Sequence, residues 1–313
     1  MIGAVDIGGT KIAVGMVSAE GRVVAKLESP TDARHGFRDA LARIVKMLRQ
    51  TAEMARTTIS GIGIGCTGPV YPLIGTIGAV DFLPGWQSAN PVSDLVHEFH
   101  VSVAMENDAD AAAIGESGWG SGRGKAKLIY VTVGTGIGGG IILDGKLYRG
   151  VDQSHPEIGH HAIDPSGPLC FCGARGCWEV LARGPAMVEW FQKQAPKPTF
   201  SGELTAKRIC DLARQGVDLA RQAVDRETCY LGLGVANLVT LFSPDAIVLG
   251  GSVMKSADLF LEGIRQSISR NCGLVPFAST ELALASLGVD SALIGAACVW
   301  HHRFGIAGAA NAS

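Results

Sequence analysis

Taken as a whole, this sequence carries no surplus of positive charge. Lysine and arginine number 27 against 29 aspartates and glutamates, a net charge of −2 over 313 residues. There is thus no basic field to draw nucleic acid or an acidic membrane surface. Long apolar runs are missing as well. The uncharged stretch Leu128–Leu143 is too short to span a bilayer and is broken by glycines. The opening "MIGAVDIGGTKIAVGMV" has neither a basic leader nor a cleavage site, so it does not read as a secretory signal. Two common phosphate motifs are absent too: no GKS or GKT occurs, and strands follow the glycines where those motifs need a helix. These absences predict a soluble cytoplasmic protein without nucleic-acid or membrane partners.

What remains is the composition of a folded globular chain, 47% hydrophobic and 18% charged, long enough for one large domain or two moderate ones. A strand over Ile2–Val5, a Gly-rich turn and a second strand over Ile12–Val17 open it. A helix is predicted over Phe37–Met54, where Leu41, Ile44, Val45 and Leu48 share one face. "ISGIGIGCTGPV" reads as a buried strand entering a loop, "VSVAMEND" as another strand, and "ADAAAIGESGW" as the helix after it. Glycine then occupies every second position from Gly118 to Gly124, which marks a hinge or boundary. The division expected is 1–119 and 120–313, with the last helix packing back on the first domain. Further on, helices are predicted over Val217–Phe242 and Ala257–Ser269, with the strand of "PDAIVLGGSV" between them. The tail Ala307–Ser313 is low in complexity and is expected to lack fixed structure.

The second half opens as the first does. "AVDIGGTKIAVGMV" and "YVTVGTGIGGGIIL" align as strand, Gly/Thr turn and strand, with Gly134 on Gly8 and Thr132 on Asp6. A duplicated unit of this kind implies an α/β protein of two related domains facing each other across a cleft. Turns made of glycines and a threonine present backbone N–H groups in a concave array that an anion can approach closely. Gly8, Gly9, Thr10 and Lys11 form one such turn, Thr135 and Gly136 belong to the other, and Gly250-Gly251 ends a later strand. One motif alone could be an ordinary hairpin; two matched copies plus a third glycine pair point to nucleotide phosphates. Asp6, at the end of its strand, is placed to hold Mg²⁺ through water.

"MENDADAAAIGE" puts Glu106, Asn107 and Asp108 where a strand runs into a helix. Asp108 can serve as the helix N-cap, or its carboxylate can accept the proton of a substrate hydroxyl that attacks phosphorus. Residue type alone supports both, and the two roles do not conflict.

Of eight cysteines, five stand singly in apolar or helical surroundings, but Cys170, Cys172 and Cys177 lie close together. With His160 they form H-x9-C-x-C-x4-C, three thiolates and an imidazole, a structural zinc set with no open position for water. Gly167, Gly173 and Gly176 let so short a loop fold back on one ion. Glu157 and Glu179 flank the set. A loop made rigid by metal would fix their direction, and His160 would offer its second nitrogen as a donor. Such a loop suits the adjacent hydroxyls of a sugar.

Taken together, "DIGGTK", "GIGCTGPV", "LPGW", "MENDADAAAIGE", "VTVGTGIGGGI", "PEIGHHAIDPSGPLCFCGARGCWE", "AIVLGGSV" and "GVDSALIGAA" resemble the ROK family of sugar kinases and repressors, within the actin-like ATPase superfamily. The resemblance covers essentially the whole chain. It implies two actin-like, ribonuclease H-like domains and transfer of the ATP γ-phosphoryl group to a sugar hydroxyl, foremost the 6-OH of glucose. By the same resemblance Asp108 is the general base, and Asn107, Glu157, His160 and Glu179 contact the hexose, with Gly68 in a loop approaching it. His160, Cys170, Cys172 and Cys177 hold zinc. Gly8, Gly9, Thr10, Lys11, Thr135, Gly136, Gly250 and Gly251 bind the nucleotide, sugar binding closes the domains, and the assembly is a homodimer. Some positions depart from the usual pattern: Asp81 stands for Asn before "LPGW", "ENDAN" is "ENDAD" with Asp110, and His155-Pro156 replaces small residues, as in the family's fructokinases. Fructokinase and N-acetylhexosamine kinase are therefore the alternatives. A sugar sensor or repressor is expected less, since "DIGGT" begins at Asp6 and leaves no room ahead of it for a helix-turn-helix.

Overall fold

A computed structural model describes residues 1–195 and 203–305; the low-complexity tail Ala307–Ser313 lies outside them. In chain order the first elements are β1 (Ile2–Ile7), β2 (Lys11–Val17), β3 (Val23–Pro30), α1 (Phe37–Met54), β4 (Gly61–Cys66) and the small hairpin β5 (Val70–Tyr71) and β6 (Thr76–Ile77). Then come α2 (Pro91–Phe99), β7 (Val103–Asn107), α3 (Asp108–Trp119), β8 (Leu128–Val133), β9 (Ile137–Leu143) and β10 (Lys146–Leu147). The remainder forms α4 (Trp178–Ala182), α5 (Gly184–Gln194), α6 (Ala206–Arg214), α7 (Asp218–Phe242), β11 (Ala246–Gly250), α8 (Leu261–Asn271), β12 (Glu281–Leu284) and α9 (Ser291–Phe304).

Two compact units result. The first takes Met1–Ala126, Gly140–Pro156 and the chain from Ala285 on; the second takes Lys127–Gly139 and Glu157–Leu284. In the first, a five-stranded sheet has the order β3-β2-β1-β4-β7. β1, β2 and β3 are antiparallel neighbours, while β1, β4 and β7 run parallel. Alternation along the strands sorts side chains to two faces. Val5, Ile7, Ile12, Val14, Ile62 and Ile64 join a core with Phe37 and Leu48 of α1 and with Trp86. Trp86 is fully buried yet satisfied, because its indole N–H donates to the Ala33 carbonyl at 3.1 Å. On the other face Ile2, Ala4, Ala13 and Val17 pack against Leu293, Ala296 and Ala297 of α9. The small residues there let helix backbone lie directly on strand backbone: a side chain at Gly63 would strike the Ala296 carbonyl oxygen. Glycine at 63 is thus a condition for seating α9.

A second five-stranded sheet has the order β10-β9-β8-β11-β12, with β8, β11 and β12 parallel. Strand for strand this repeats the first: an antiparallel pair at one edge, the opening strand, then two parallel strands. The repeat read from the sequence is therefore a repeat of topology. In the second unit α7 is the long central helix and packs with α4, α5, α6 and α8. Trp178, fully buried, lies against α7 where Gly234 leaves room for its ring. The helix predicted over Ala257–Ser269 is corrected: a 3₁₀ segment spans Val253–Leu259, with Ser256 non-helical at φ −109°, ψ 33°, and α8 starts only at Leu261. None of the described helices is long and apolar enough to cross a membrane.

Candidate active site

In the first unit the parallel strands β1, β4 and β7 all end at one edge, and three candidate elements begin there. The β1–β2 turn closes with the Gly8 N–H donating to the Lys11 carbonyl at 2.9 Å. Thr10 is exposed on it. Lys11 Nζ sits 3.0 Å from Glu28 Oε1, both side chains about half exposed, so its ammonium is held toward β3. From β4 the chain passes into the loop at Gly68, which has φ +86°. From β7 it passes into α3.

Asn107, not Asp108, is the N-cap of α3: its Oδ1 accepts from the Ala109 N–H at 2.8 Å. Its Nδ2 donates to the Gly68 carbonyl at 3.3 Å, tying the two strand-end loops together. The alternative of Asp108 as the cap is thereby corrected. Asp108 is the first helical residue, and its Oδ1 shares the Ala109 N–H at 2.8 Å. Its side chain reaches solvent, yet the protein around it, by desolvation, holds its carboxyl above the usual range. The Ala109 N–H and His155 pull in the opposite direction. Asp6 shares this setting. Burial, and then the nearby Asp108, push its pKa up to about 7, against a smaller lowering by Lys11.

The acids on either side of Asp108 have partners that sequence reasoning missed. Glu106, 4% exposed, is paired with the guanidinium of Arg149, and desolvation is still the largest influence on its raised pKa. Asp110, 1% exposed, has His155 Nδ1 at 2.9 Å from its Oδ2. The one available signal was charge itself: acids at inward positions of a buried strand and helix need counter-ions. Another such acid is Glu116 of α3, 1% exposed. Its carboxylate accepts from the N–H groups of Ser121 at 2.9 Å, Ser286 at 3.0 Å and Leu287 at 3.2 Å.

In the second unit the matching turn closes with the Gly134 N–H donating to the Gly136 carbonyl at 2.9 Å, and Thr135 is exposed on it. Gly250 ends β11, and Gly251, at φ +91°, backs onto the Val133 backbone at the end of β8. The structure thus brings the two glycine segments of this unit together at one sheet edge. Glu179 stands in the first turn of α4, and its Oε2 accepts from the Ile137 N–H at 2.8 Å. A side chain at Gly136 would occupy the place of that oxygen. Glu179 and the Gly134–Gly136 turn are therefore directly joined, a link with no counterpart in the sequence motif.

The loop ahead of Glu179 is knitted by backbone bonds. Ile163 N–H donates to the Gly176 carbonyl at 2.8 Å, Gly176 N–H to Pro168 at 2.9 Å, and Trp178 N–H to His161 at 2.9 Å. His160, Cys170, Cys172 and Cys177 converge so that their ligand atoms all lie within 4.8 Å of one another. His160 Nδ1 is 3.5 Å from Cys170 Sγ, and Cys172 Sγ is 3.5 Å from Cys177 Sγ. Tetrahedral zinc, at about 2.0–2.3 Å from each ligand, needs ligand atoms roughly 3.5 Å apart, so the set fits. The cysteines are free thiols. Burial pushes Cys177 up to about 12, while the Ala174 N–H holds Cys172 below its usual value. The imidazole divides its nitrogens: Nδ1 faces the thiols, and Nε2 lies 3.9 Å from Glu179 Oε1. Glu157 is exposed at the start of this loop.

A family model described as the ROK family matches residues 2–303. The chain belongs to the ROK family. Its α/β fold is the actin-like ATPase fold of the ROK kinases. The glucokinase of Streptomyces coelicolor is 36% identical, the match covering 94% of this chain and 95% of that protein. The crystal structure of a ROK family glucokinase from Streptomyces griseus in complex with glucose and AMPPNP superimposes with a TM-score of 0.79. It is 33% identical, over 95% of this ROK chain and 97% of its own. A xylose repressor of Bacillus spizizenii is 33% identical, over 80% of this chain and 64% of the repressor.

Proposed function

We propose that this ROK protein is an ATP-dependent hexose kinase that phosphorylates glucose at its 6-hydroxyl. The observation that carries the reading is Asp108. It is a carboxylate open to solvent at the head of α3, at the same sheet edge as Asp6 and the Gly8–Lys11 turn. The Ala109 N–H anchors Oδ1, which leaves Oδ2 to take the proton of the attacking hydroxyl. Protein-imposed desolvation makes that carboxylate a better proton acceptor than an ordinary aspartate. Phosphoryl transfer asks mainly for positioning and for stabilisation of spreading negative charge. The N–H groups of the two glycine turns and of Gly250-Gly251 serve the ATP phosphates. Mg²⁺, held through water by Asp6, would neutralise charge on those phosphates.

Glu157, His160 and Glu179 bind sugar hydroxyls, with Asn107 and the Gly68 loop beside Asp108. Zinc on His160, Cys170, Cys172 and Cys177 would lock the loop; with four protein ligands it has a structural role. The likeness to glucokinases over nearly the full length supports glucose as the sugar. The likeness to a xylose repressor supports a second reading, sugar binding without turnover. A coupled ATP-consumption assay with glucose, fructose, mannose, N-acetylglucosamine and N-acetylmannosamine separates the two. Turnover highest with glucose is expected. ATP consumption that ignores every sugar would leave only the second reading.

A further inference from the structure

The segment Gly140–Pro156 belongs to the first unit and brings two basic side chains to the strand–helix junction that carries Asp108. Arg149 pairs with Glu106, and His155 with Asp110. Acids at 106, 108 and 110, with Asp6 on β1, make this junction strongly negative. Around Asp108 the charged and titratable groups are Asp6 from β1, Asp110 from α3 and His155. The Cys66 thiol of β4 is kept protonated by burial. Lys11 and Glu28 act on Asp6, and Arg303 of α9 acts with Arg149 on Glu106.

We propose that His155, seated on Asp110, is a positioning residue for Asp108, supplying the positive charge that offsets the carboxylates around the base. This rests on the kinase reading. Asp110 is 1% exposed, and a carboxylate so buried is costly without a cation against it. The group the structure sets against it is an imidazole with a side chain 14% exposed, its Nδ1 2.9 Å from Asp110 Oδ2, a cation when protonated. That charge favours the ionised form of Asp108.

The test is the pH profile of kcat, at saturating hexose and ATP, for the wild-type protein, His155→Asn and His155→Asn/Asp110→Asn. Loss of the imidazole leaves Asp110 unopposed, so the acid limb of His155→Asn should move up by about one pH unit. On the acid limb turnover falls by up to about ten-fold, the equivalent of one pH unit, while the hexose KM stays within two-fold of the wild type. Adding Asp110→Asn should return the acid limb toward the wild-type position, since the double variant has neither charge. If His155→Asn fails to fold, the double variant decides: an acid limb near the wild type supports the pairing, and a displaced one overturns it. An acid limb unmoved in a folded His155→Asn overturns the proposal. A wild-type protein without sugar-dependent ATP turnover overturns the kinase reading and this inference together, which is a different result from an active enzyme indifferent to residue 155.

Discussion

On the kinase reading Asp108 is the proton acceptor, and its replacement separates binding from turnover. Asp108→Asn keeps the size and the Ala109 contact but removes the proton acceptor. Turnover should fall by about 10²–10⁴-fold with hexose affinity, read by calorimetric titration, within a few-fold of the wild type. Near-normal turnover would sink Asp108 as the base. The acid was legible from sequence because a strand end, an Ala-rich helix and the motif "MENDADAAAIGE" all converge on it. The cap was not, since Asn107 and Asp108 are both good capping residues and only backbone geometry chooses. Nor was the Glu106–Arg149 pair, whose members lie 43 positions apart.

Glu227, fully buried in α7, is another residue that the sequence left unmarked. Burial pushes its pKa up to about 8, and neither of its oxygens has a hydrogen-bond partner among the described residues. A carboxyl whose folded pKa exceeds its unfolded value stabilises the fold fully below the unfolded value, near 4.5. That contribution is lost as pH rises through the folded pKa. Glu227→Gln should therefore gain in Tm on the wild type between about pH 5 and pH 8 and hold the gain above. A Tm difference that stays constant with pH would contradict this.

At the scale of elements, the cysteine-rich loop and the β8–β9 turn are joined through Glu179. Cys172→Ser should lower bound zinc, thermal stability and hexose affinity together. Metal analysis, calorimetry and titration on the same preparation check this, and unchanged affinity in zinc-free protein would refute the loop's dependence on metal. Gly136→Ala tests the other end of the link. Its methyl group displaces Glu179 from the Ile137 N–H, so hexose KM should rise about ten-fold, as for loss of one hydrogen bond to a charged group. An unchanged KM would show that Glu179 does not depend on that anchor. Elements with a strong period were legible: α1 spans Phe37–Met54 as its apolar spacing predicts. The start of α8 was not, because no glycine or proline marks the turn at Ser256.

For the molecule as a whole, the repeated Gly/Thr unit made the two-sheet topology readable, and the glycine-rich run ending at Gly124 lies close to the change of unit at Ala126/Lys127. The return of the last helix was expected, but that of Gly140–Pro156 was beyond reading; tertiary contact assigns it and the segment from Ala285 to the first unit. Glu116 is one bond of that assignment, joining α3 to Ser286 and Leu287. Glu116→Ala orphans three N–H groups and should cost about 2–4 kcal/mol, seen as a lower Tm by calorimetry. A loss under about 0.5 kcal/mol, the range of ordinary surface changes, would mean that water replaces the carboxylate without penalty.

The seating of α9 on β1 and β4 also bears on how the chain is made. β1 leaves the ribosome before every other element described, and α9 follows them all. Domains commonly fold in order from the N-terminus during synthesis. The first unit cannot finish that way: the strand face bearing Gly63 stays uncovered while the whole second unit is being translated. The second unit, although it starts later, has all of its chain available sooner, so the unit that holds β1 is the one completed last.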